Sequence, residues 1–119
     1  MPQTAQDVDS LIAEVAPAMT DLRHELHRHP EIRFEEQWTS ARICTFLDET
    51  GIPYKTGYAK GTGIVAEIAG SGTRTVGLRS DIDALEIHEQ TGLPYASEIP
   101  GRMHACGHDG HMAALCGAA

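Results

Sequence analysis

The sequence predicts an α/β fold, and three successive patterns along its 119 residues support that prediction. Apolar residues first recur at steps of three and four over two stretches, as they do on one face of an amphipathic helix. A two-residue alternation punctuated by glycines follows, which is typical of strands. An alanine-rich run closes the sequence and favours a further helix. With 41% hydrophobic residues, the chain is long enough for one small domain.

The first helix is predicted from its apolar face. The residues of that face are Val8, Leu11, Ile12, Val15, Met19, Leu22 and Leu26. Pro17 interrupts the pattern and predicts a kink or a break, and Pro30 predicts that the helix ends before it. The last turns are crowded with polar residues: His24, Glu25, His27, Arg28 and His29. Because the helix dipole favours cations at this end, we interpret them as polar groups of a helix terminus rather than as metal ligands.

The second helix is predicted from Glu35 to Thr50. Gly51 suits the left-handed residue that ends many helices, and Pro53 prevents continuation. Cys44 falls on or beside the buried face, where an inert structural thiol is the expected role.

Two strands are predicted next, over 64–68 and 75–79, and Gly70-Ser71-Gly72 is typical of the turn between them. We expect the two strands to pair as a hairpin. Asp81 and Asp83 follow directly, and side chains two residues apart on an extended chain point the same way. The pair is either solvated or serves a metal site, as a ligand or as a carboxylate that orients a ligating imidazole. Residues 86–102 are predicted to be a long loop, and loops of this length are often functional.

Residues 104–111, His-Ala-Cys-Gly-His-Asp-Gly-His, place three imidazoles, one thiol and one carboxylate within eight positions. Cys106 and His108 are good ligands for borderline-soft cations such as zinc. Asp109 is expected to cap the final helix, whose dipole would favour a thiolate at its N-terminus. Two alternatives remain, a cysteine nucleophile and a purely structural loop. No second Cys/His pair follows, so these residues do not form a complete structural zinc site by themselves.

The charge and cysteine content exclude several classes of function. The formal net charge is −8 and no basic stripe occurs, so neither nucleic acid nor an anionic membrane is an expected partner. Three cysteines, an odd number, fit a reducing compartment. Residues 1–7 lack the basic and apolar regions of a signal peptide, and no run is long enough to span a bilayer. The expected location is therefore the cytoplasm.

Four motifs occur in the order found in a known enzyme family. They are Arg-His-Glu-Leu-His-Arg-His-Pro-Glu at 23–31, Phe-Glu-Glu at 34–36, Ser-Asp-Ile-Asp-Ala-Leu at 80–85 and Met-His-Ala-Cys-Gly-His-Asp-Gly-His at 103–111. The chain from about residue 20 onward resembles the N-terminal part of the metal-dependent amidohydrolases of the aminoacylase/carboxypeptidase superfamily. The branch it resembles most contains hippurate hydrolase, bacterial N-acyl-amino-acid amidohydrolases and plant auxin-conjugate hydrolases. Relatives often carry proline where this chain has Glu86, which bears on the local turn and the substrate entrance.

The resemblance implies a mixed-sheet, helix-flanked, zinc-peptidase-like catalytic domain of which residues 1–119 form the incomplete N-terminal part. It implies two divalent cations, zinc or manganese with cobalt or nickel as further candidates, and a smaller inserted domain for dimerisation. By the same resemblance Cys106 and His108 match metal ligands, and Asp83 matches a site carboxylate that touches a ligand. Asp81 and His111 receive no role. The remaining ligands, the general-base glutamate, the inserted domain and the C-terminal half lie further along in the family, so we expect a truncation.

The function implied for an intact parent is hydrolysis of the amide bond of a small-molecule N-acyl amino acid by a metal-activated water. The parent is expected to be a homodimer or homotetramer. The 119 residues alone are expected to bind metal weakly, to be nearly inactive and to self-associate. Two alternatives belong to other classes: a non-catalytic metal-binding or interaction module, and a hydrolase that uses Cys106 as its nucleophile.

Overall fold

The computed structural model describes residues 5–119, with side chains from residue 7 onward. Residues 1–4, on which part of the signal-peptide argument rests, lie outside the described residues. The first element, α1, runs as one helix over Ala5–Arg28. The predicted break at Pro17 is therefore wrong. Pro17 lies on the exposed side of α1, so the backbone carbonyl that loses its partner there can face water. The helix ends before Pro30, as predicted.

The second helix, α2, spans Gln37–Thr50 and begins two residues later than predicted. Backbone N–H groups in its first turn bond to a side chain that lies outside the helix. The Glu31 carboxylate accepts hydrogen bonds from the N–H groups of Trp38 and Thr39, at 3.1 and 2.6 Å. The hydroxyl of Thr39 also donates to it at 2.7 Å. The other end is as predicted, since Gly51 has the left-handed φ of 71° and its N–H bonds back into the helix.

The two strands are β1, Tyr54–Tyr58, and β2, Gly63–Ala66, which pair antiparallel around a short 3₁₀ turn at Ala59–Gly61. The strand predicted over 64–68 therefore exists in a shorter form, but the predicted hairpin with 75–79 is wrong. Residues 75–79 have no regular secondary structure. A strand needs a ladder partner; within the described chain β2 pairs with β1 alone, and no segment pairs with 75–79.

The third helix, α3, spans His108–Ala118 and packs against α1. The residues that form the core are Leu22, Leu26, Met112 and Cys116, with Met19, Trp38, Ile43, Phe46 and Ile82 packed around them. Gly117 allows the close approach of the two helices, because a Cβ there would lie 3.0 Å from Cγ of Met19. The molecule is thus a mixed α/β structure, as predicted, with the second half of α1 packed in its core.

Backbone hydrogen bonds fix the predicted loop 86–102 in place. Leu85 and Met103 form an isolated antiparallel bridge, with N–O distances of 2.9 and 3.0 Å. The N–H of Glu98 donates to the carbonyl of Arg28 at the end of α1, at 2.9 Å. These bonds bring the end of α1, the loop and the start of α3 together.

A wide apolar strip of α1 is exposed. Its residues are Val8, Leu11, Ile12 and Val15, and Ile12 is 57% exposed. Val76 and Leu78, in the unpaired segment, are 85% and 67% exposed. No helix within residues 5–119 is long and apolar enough to cross a bilayer. Exposed apolar patches of this kind often mediate association between proteins.

We therefore expect the purified chain to self-associate through the strip on α1. Ile12→Lys places a charge in the strip and should lower the average mass measured by sedimentation velocity at several concentrations. Ala13→Lys adds the same charge one residue along, outside the strip, and should leave the mass near that of the unmodified chain. A chain that sediments as a monomer at every concentration would contradict the expectation.

Candidate metal centre

The metal loop, residues 103–107, leads from the bridge at Met103 into α3. Gly107 has φ of 91°, a conformation that glycine adopts without strain, and it occupies the N-cap position of α3. The expectation that Asp109 caps this helix is wrong. Asp109 lies inside the first turn, the N-cap position belongs to Gly107, and the Asp109 carboxylate binds His27 of α1.

His108 is held by Asp83. Its Nδ1 lies 2.8 Å from the backbone carbonyl of Asp83 and 3.0 Å from the Oδ1 atom of the same residue. A carbonyl oxygen can only accept, so Nδ1 carries the proton and the lone pair of a neutral ring lies on Nε2. The closest carboxylate to Nε2 is that of Asp81, at 3.7 Å, too far for a hydrogen bond. The ring thus offers Nε2 to a cation, and Asp83 sets its orientation.

Cys106 is the exposed member of three free cysteines. Burial raises the pKa of the Cys116 thiol to about 11, so that thiol stays protonated and inert. Cys44 is half-buried on α2, in keeping with a structural role. The convergence of the Cys106 sulfur and a His108 nitrogen on one point remains a prediction, as does their role as ligands.

The donor chemistry of the loop fits part of a site for a borderline-soft cation. An exposed thiol lies two positions from an imidazole whose Nε2 lone pair is available, and the carboxylates of Asp81 and Asp83 lie beside that imidazole. Within residues 5–119, however, no three His, Cys, Asp or Glu side chains are grouped so that they could hold a metal ion. A closed zinc site has four ligands, so the described residues supply only part of a site.

A buried charge network lies directly behind the metal loop. The ring of His27, 3% exposed, lies between two carboxylates: Nδ1 is 2.8 Å from Asp109 Oδ2, and Nε2 is 2.8 Å from Glu89 Oε1. The Nε of Arg23 donates to the same Asp109 oxygen at 3.3 Å. A neutral imidazole has one N–H, so one ring bonds both carboxylates only when both of its nitrogens carry protons.

The two carboxylates remain ionised despite their burial. Desolvation raises the pKa of Asp109, but hydrogen bonds from His27 and from the N–H of Gly110 outweigh it and hold that pKa below its ordinary value. Desolvation likewise raises the pKa of Glu89, and hydrogen bonds from Thr91 and from the N–H of Ser97 lower it further than burial raises it. Two carboxylates, an imidazolium and a guanidinium give the network a net charge close to zero.

The loop that carries Glu89 also packs on α1 through aromatic rings. The ring of Tyr95 stacks on His24 at a centroid distance of 3.7 Å and meets His27 edge-on at 5.4 Å. The guanidinium of Arg23 lies 5.9 Å from the Tyr95 ring centroid. These contacts hold the loop over the last turns of α1.

His104 is the second buried imidazole of this region. It is 3% exposed, and neither ring nitrogen has a hydrogen-bond partner among the described residues. Burial lowers the pKa of His104 to about 4, so the ring is neutral at pH 7. Its ring centroid lies 6.5 Å from that of His27. A neutral His104 therefore lies beside a charged His27.

This network is not apparent from the sequence, in which His27 is interpreted as a polar group of a helix terminus and Asp109 as a helix cap. One signal was available: Arg23 and His27 lie four residues apart on one face of α1. Two cations at that spacing destabilise an isolated helix, so such a pair indicates an anion nearby.

Comparison with known proteins extends this picture. Residues 77–119, which include the metal loop, Asp81 and Asp83, match the Peptidase family M20/M25/M40. An N-acetyl-L-cysteine deacetylase of Bacillus subtilis is 54% identical over 99 residues, which are 82% of this chain and 24% of the relative. The chain is homologous to the M20 hydrolases. Two of the four motifs, those at 80–85 and 103–111, lie within the matched segment.

Two crystal structures match the M20-like fold of this chain. The YxeP protein of Bacillus subtilis, described as a dinuclear metal binding peptidase from the M20 family, gives a TM-score of 0.82 at 41% identity, over 87% of this chain and 30% of that one. A protein of methicillin resistant Staphylococcus aureus gives a TM-score of 0.89 at 36% identity, over 95% of this chain and 30% of that one. The chain thus spans about a quarter of the length of the curated relatives it matches and 30% of the solved ones.

Proposed function

We propose that this chain forms part of the metal-binding region of an amidohydrolase that cleaves the amide bond of small N-acyl amino acids. The observation that carries the proposal is the geometry of His108, whose Nδ1 is held by Asp83 so that Nε2 is free for a cation two residues from the exposed thiol of Cys106. The M20 match covers this segment, and one relative is named for the deacetylation of an N-acetyl amino acid.

The proposed site would use Cys106 and His108 as ligands and Asp83 to orient His108. Two divalent cations, zinc or manganese, would supply an activated water and polarise the amide carbonyl. We further propose a cytoplasmic location, and a homodimer or homotetramer for an intact enzyme.

General-base catalysis by the carboxylates beside the metal loop is not expected. Asp83 is bound to His108, while Asp109 and Glu89 are bound to His27. Asp81 forms an ion pair with Arg79 at 2.6 Å. A base must reach the proton of the attacking water, and each of these carboxylates already has a partner.

Two rival functions remain in view. A non-catalytic metal-binding module is favoured by the incomplete donor set within residues 5–119. A cysteine hydrolase requires Cys106 to act as a nucleophile with His108 or His111 as its base. In that case alkylation of the metal-bound chain would abolish hydrolysis and a chelator would not.

The proposal is tested by titrating the chain with cobalt(II), which absorbs in the near ultraviolet when it binds a thiolate. We expect this band in the unmodified chain, its loss in Cys106→Ser and His108→Ala, and its retention in Cys116→Ser, the buried control. Absence of the band in the unmodified chain, or its persistence in Cys106→Ser, would contradict the proposed site.

A second experiment measures hydrolysis of an N-acetyl amino acid by the chain, with zinc or manganese added. We expect hydrolysis to be slow or absent, because the carboxylates beside the metal loop, Asp81, Asp83, Asp109 and Glu89, already have partners. Turnover comparable to that of an intact M20 enzyme, abolished by Cys106→Ala, would overturn the view that these residues form only part of the catalytic site. It would also favour an enzyme over the non-catalytic module.

A further inference from the structure

The first turn of α3 is held from two sides. On one side, the backbone carbonyl and carboxylate of Asp83 bind Nδ1 of His108. On the other, the side chain of the next residue, Asp109, is 1% exposed and is bound by His27 of α1 at 2.8 Å. Adjacent residues of one helical turn are therefore fixed to different parts of the chain, and rotation of the turn or of the His108 ring would break at least one of these bonds.

We propose that His27 is a positioning residue for the metal loop, acting through Asp109 to hold His108 in the orientation that presents Nε2. The inference deepens the proposed function and rests on it, since orientation of His108 matters for a cation. Groups that hold a metal ligand in place commonly alter metal affinity by about 10- to 100-fold when they are removed. The two nitrogens of His27 have separate tasks: Nδ1 acts on the metal loop, and Nε2 anchors the 86–102 loop through Glu89.

This division of tasks can be tested because two amides each imitate one ring nitrogen. The side-chain N–H₂ of asparagine lies near the place of Nδ1, and that of glutamine near the place of Nε2. His27→Asn therefore retains a donor toward Asp109, whereas His27→Gln retains a donor toward Glu89. Each variant loses one buried charge-assisted bond, so a purely structural role for His27 predicts the same result for both.

The experiment measures cobalt(II) affinity and urea denaturation for the unmodified chain and both variants. We expect His27→Gln to bind cobalt at least about 10-fold more weakly, and His27→Asn to stay close to the unmodified chain, with both denaturing at similar urea concentrations. Equal loss of affinity in the two variants, or no loss in either, would overturn the positioning role. A chain that shows no thiolate band even unmodified would contradict the proposed function, which is a distinct outcome.

If a variant fails to fold, nitrogen-15 NMR of the histidine rings in the unmodified chain tests the positioning role of His27. In the unmodified chain we expect two slowly exchanging ring N–H signals from His27, and a larger shift of Nδ1–H than of Nε2–H when zinc is added. A rapidly exchanging Nδ1–H, or a zinc shift confined to Nε2–H, would overturn the proposal without any substitution.

Discussion

Replacing Asp109 by alanine is expected to lower the free energy of unfolding by about 3–5 kcal/mol, the usual cost of removing one partner from a buried ion pair. The carboxylate is 1% exposed and is bound by His27 and by Arg23. Its removal leaves the imidazolium of His27 buried with Glu89 alone, in a site that excludes water. Domains of this size have about 5–15 kcal/mol of stability in total, so the loss is a large part of it.

The measurement is urea denaturation followed by circular dichroism, with a chelator present so that metal makes no contribution. Asp109→Asn keeps an oxygen that can accept a hydrogen bond from His27, so its free energy of unfolding should fall by less than that of Asp109→Ala. Asp21→Ala removes an exposed carboxylate of α1 and should change stability by no more than about 0.5 kcal/mol. A loss below about 1 kcal/mol in Asp109→Ala would mean that the network behaves like a surface ion pair.

The helices were predictable because their signals are local. The apolar spacing of α1 and α2 and the glycine at 51 each act within a few residues, and the structure confirms them. The strand over 75–79 was not predictable in the same way. An alternating sequence is compatible with a strand, but the strand forms only beside a partner, and β2 pairs with the preceding Tyr54–Tyr58.

The residues of the candidate metal centre show the same contrast between local signals and long-range contacts. Cys106 and His108 stand out because donors are dense in one short stretch, and Asp83 stands out through its spacing from Asp81. His27 binds Asp109 across 82 residues and Glu89 across 62, and no local pattern links them. Burial of the face around Leu26 draws His27 inward with it, and the charge then has to be neutralised by carboxylates from distant segments.

His104 leads to an expected pH dependence of stability with a definite sign. Burial lowers its pKa in the folded chain to about 4; Asp109 and Asp83 act in the opposite sense, and the charges of His27 and His108 add to the lowering. An unfolded histidine titrates near 6.5, so between about pH 6.5 and 4 the unfolded chain binds more protons than the folded one. The stabilisation is therefore complete above about pH 6.5 and is lost as the pH falls.

The size of this loss is on the order of 3 kcal/mol between those pH values. The lowered pKa values of Asp109 and Glu89 act in the same direction but at lower pH, below the ordinary range of carboxyl groups. Urea denaturation at intervals from pH 7 to pH 4, with a chelator present, should therefore show the free energy of unfolding falling from about pH 6.5, well above the pH at which Asp109 and Glu89 are protonated.

His104→Phe should flatten this fall, because phenylalanine fills a similar volume and does not titrate. At pH 7 the variant should be at least as stable as the unmodified chain, since neither nitrogen of His104 has a hydrogen-bond partner to lose among the described residues. His111→Gln removes an exposed histidine from the same motif and should leave the pH dependence unchanged. If His104→Phe loses stability between pH 6.5 and 4 as steeply as the unmodified chain, the burial of a neutral His104 is not its cause.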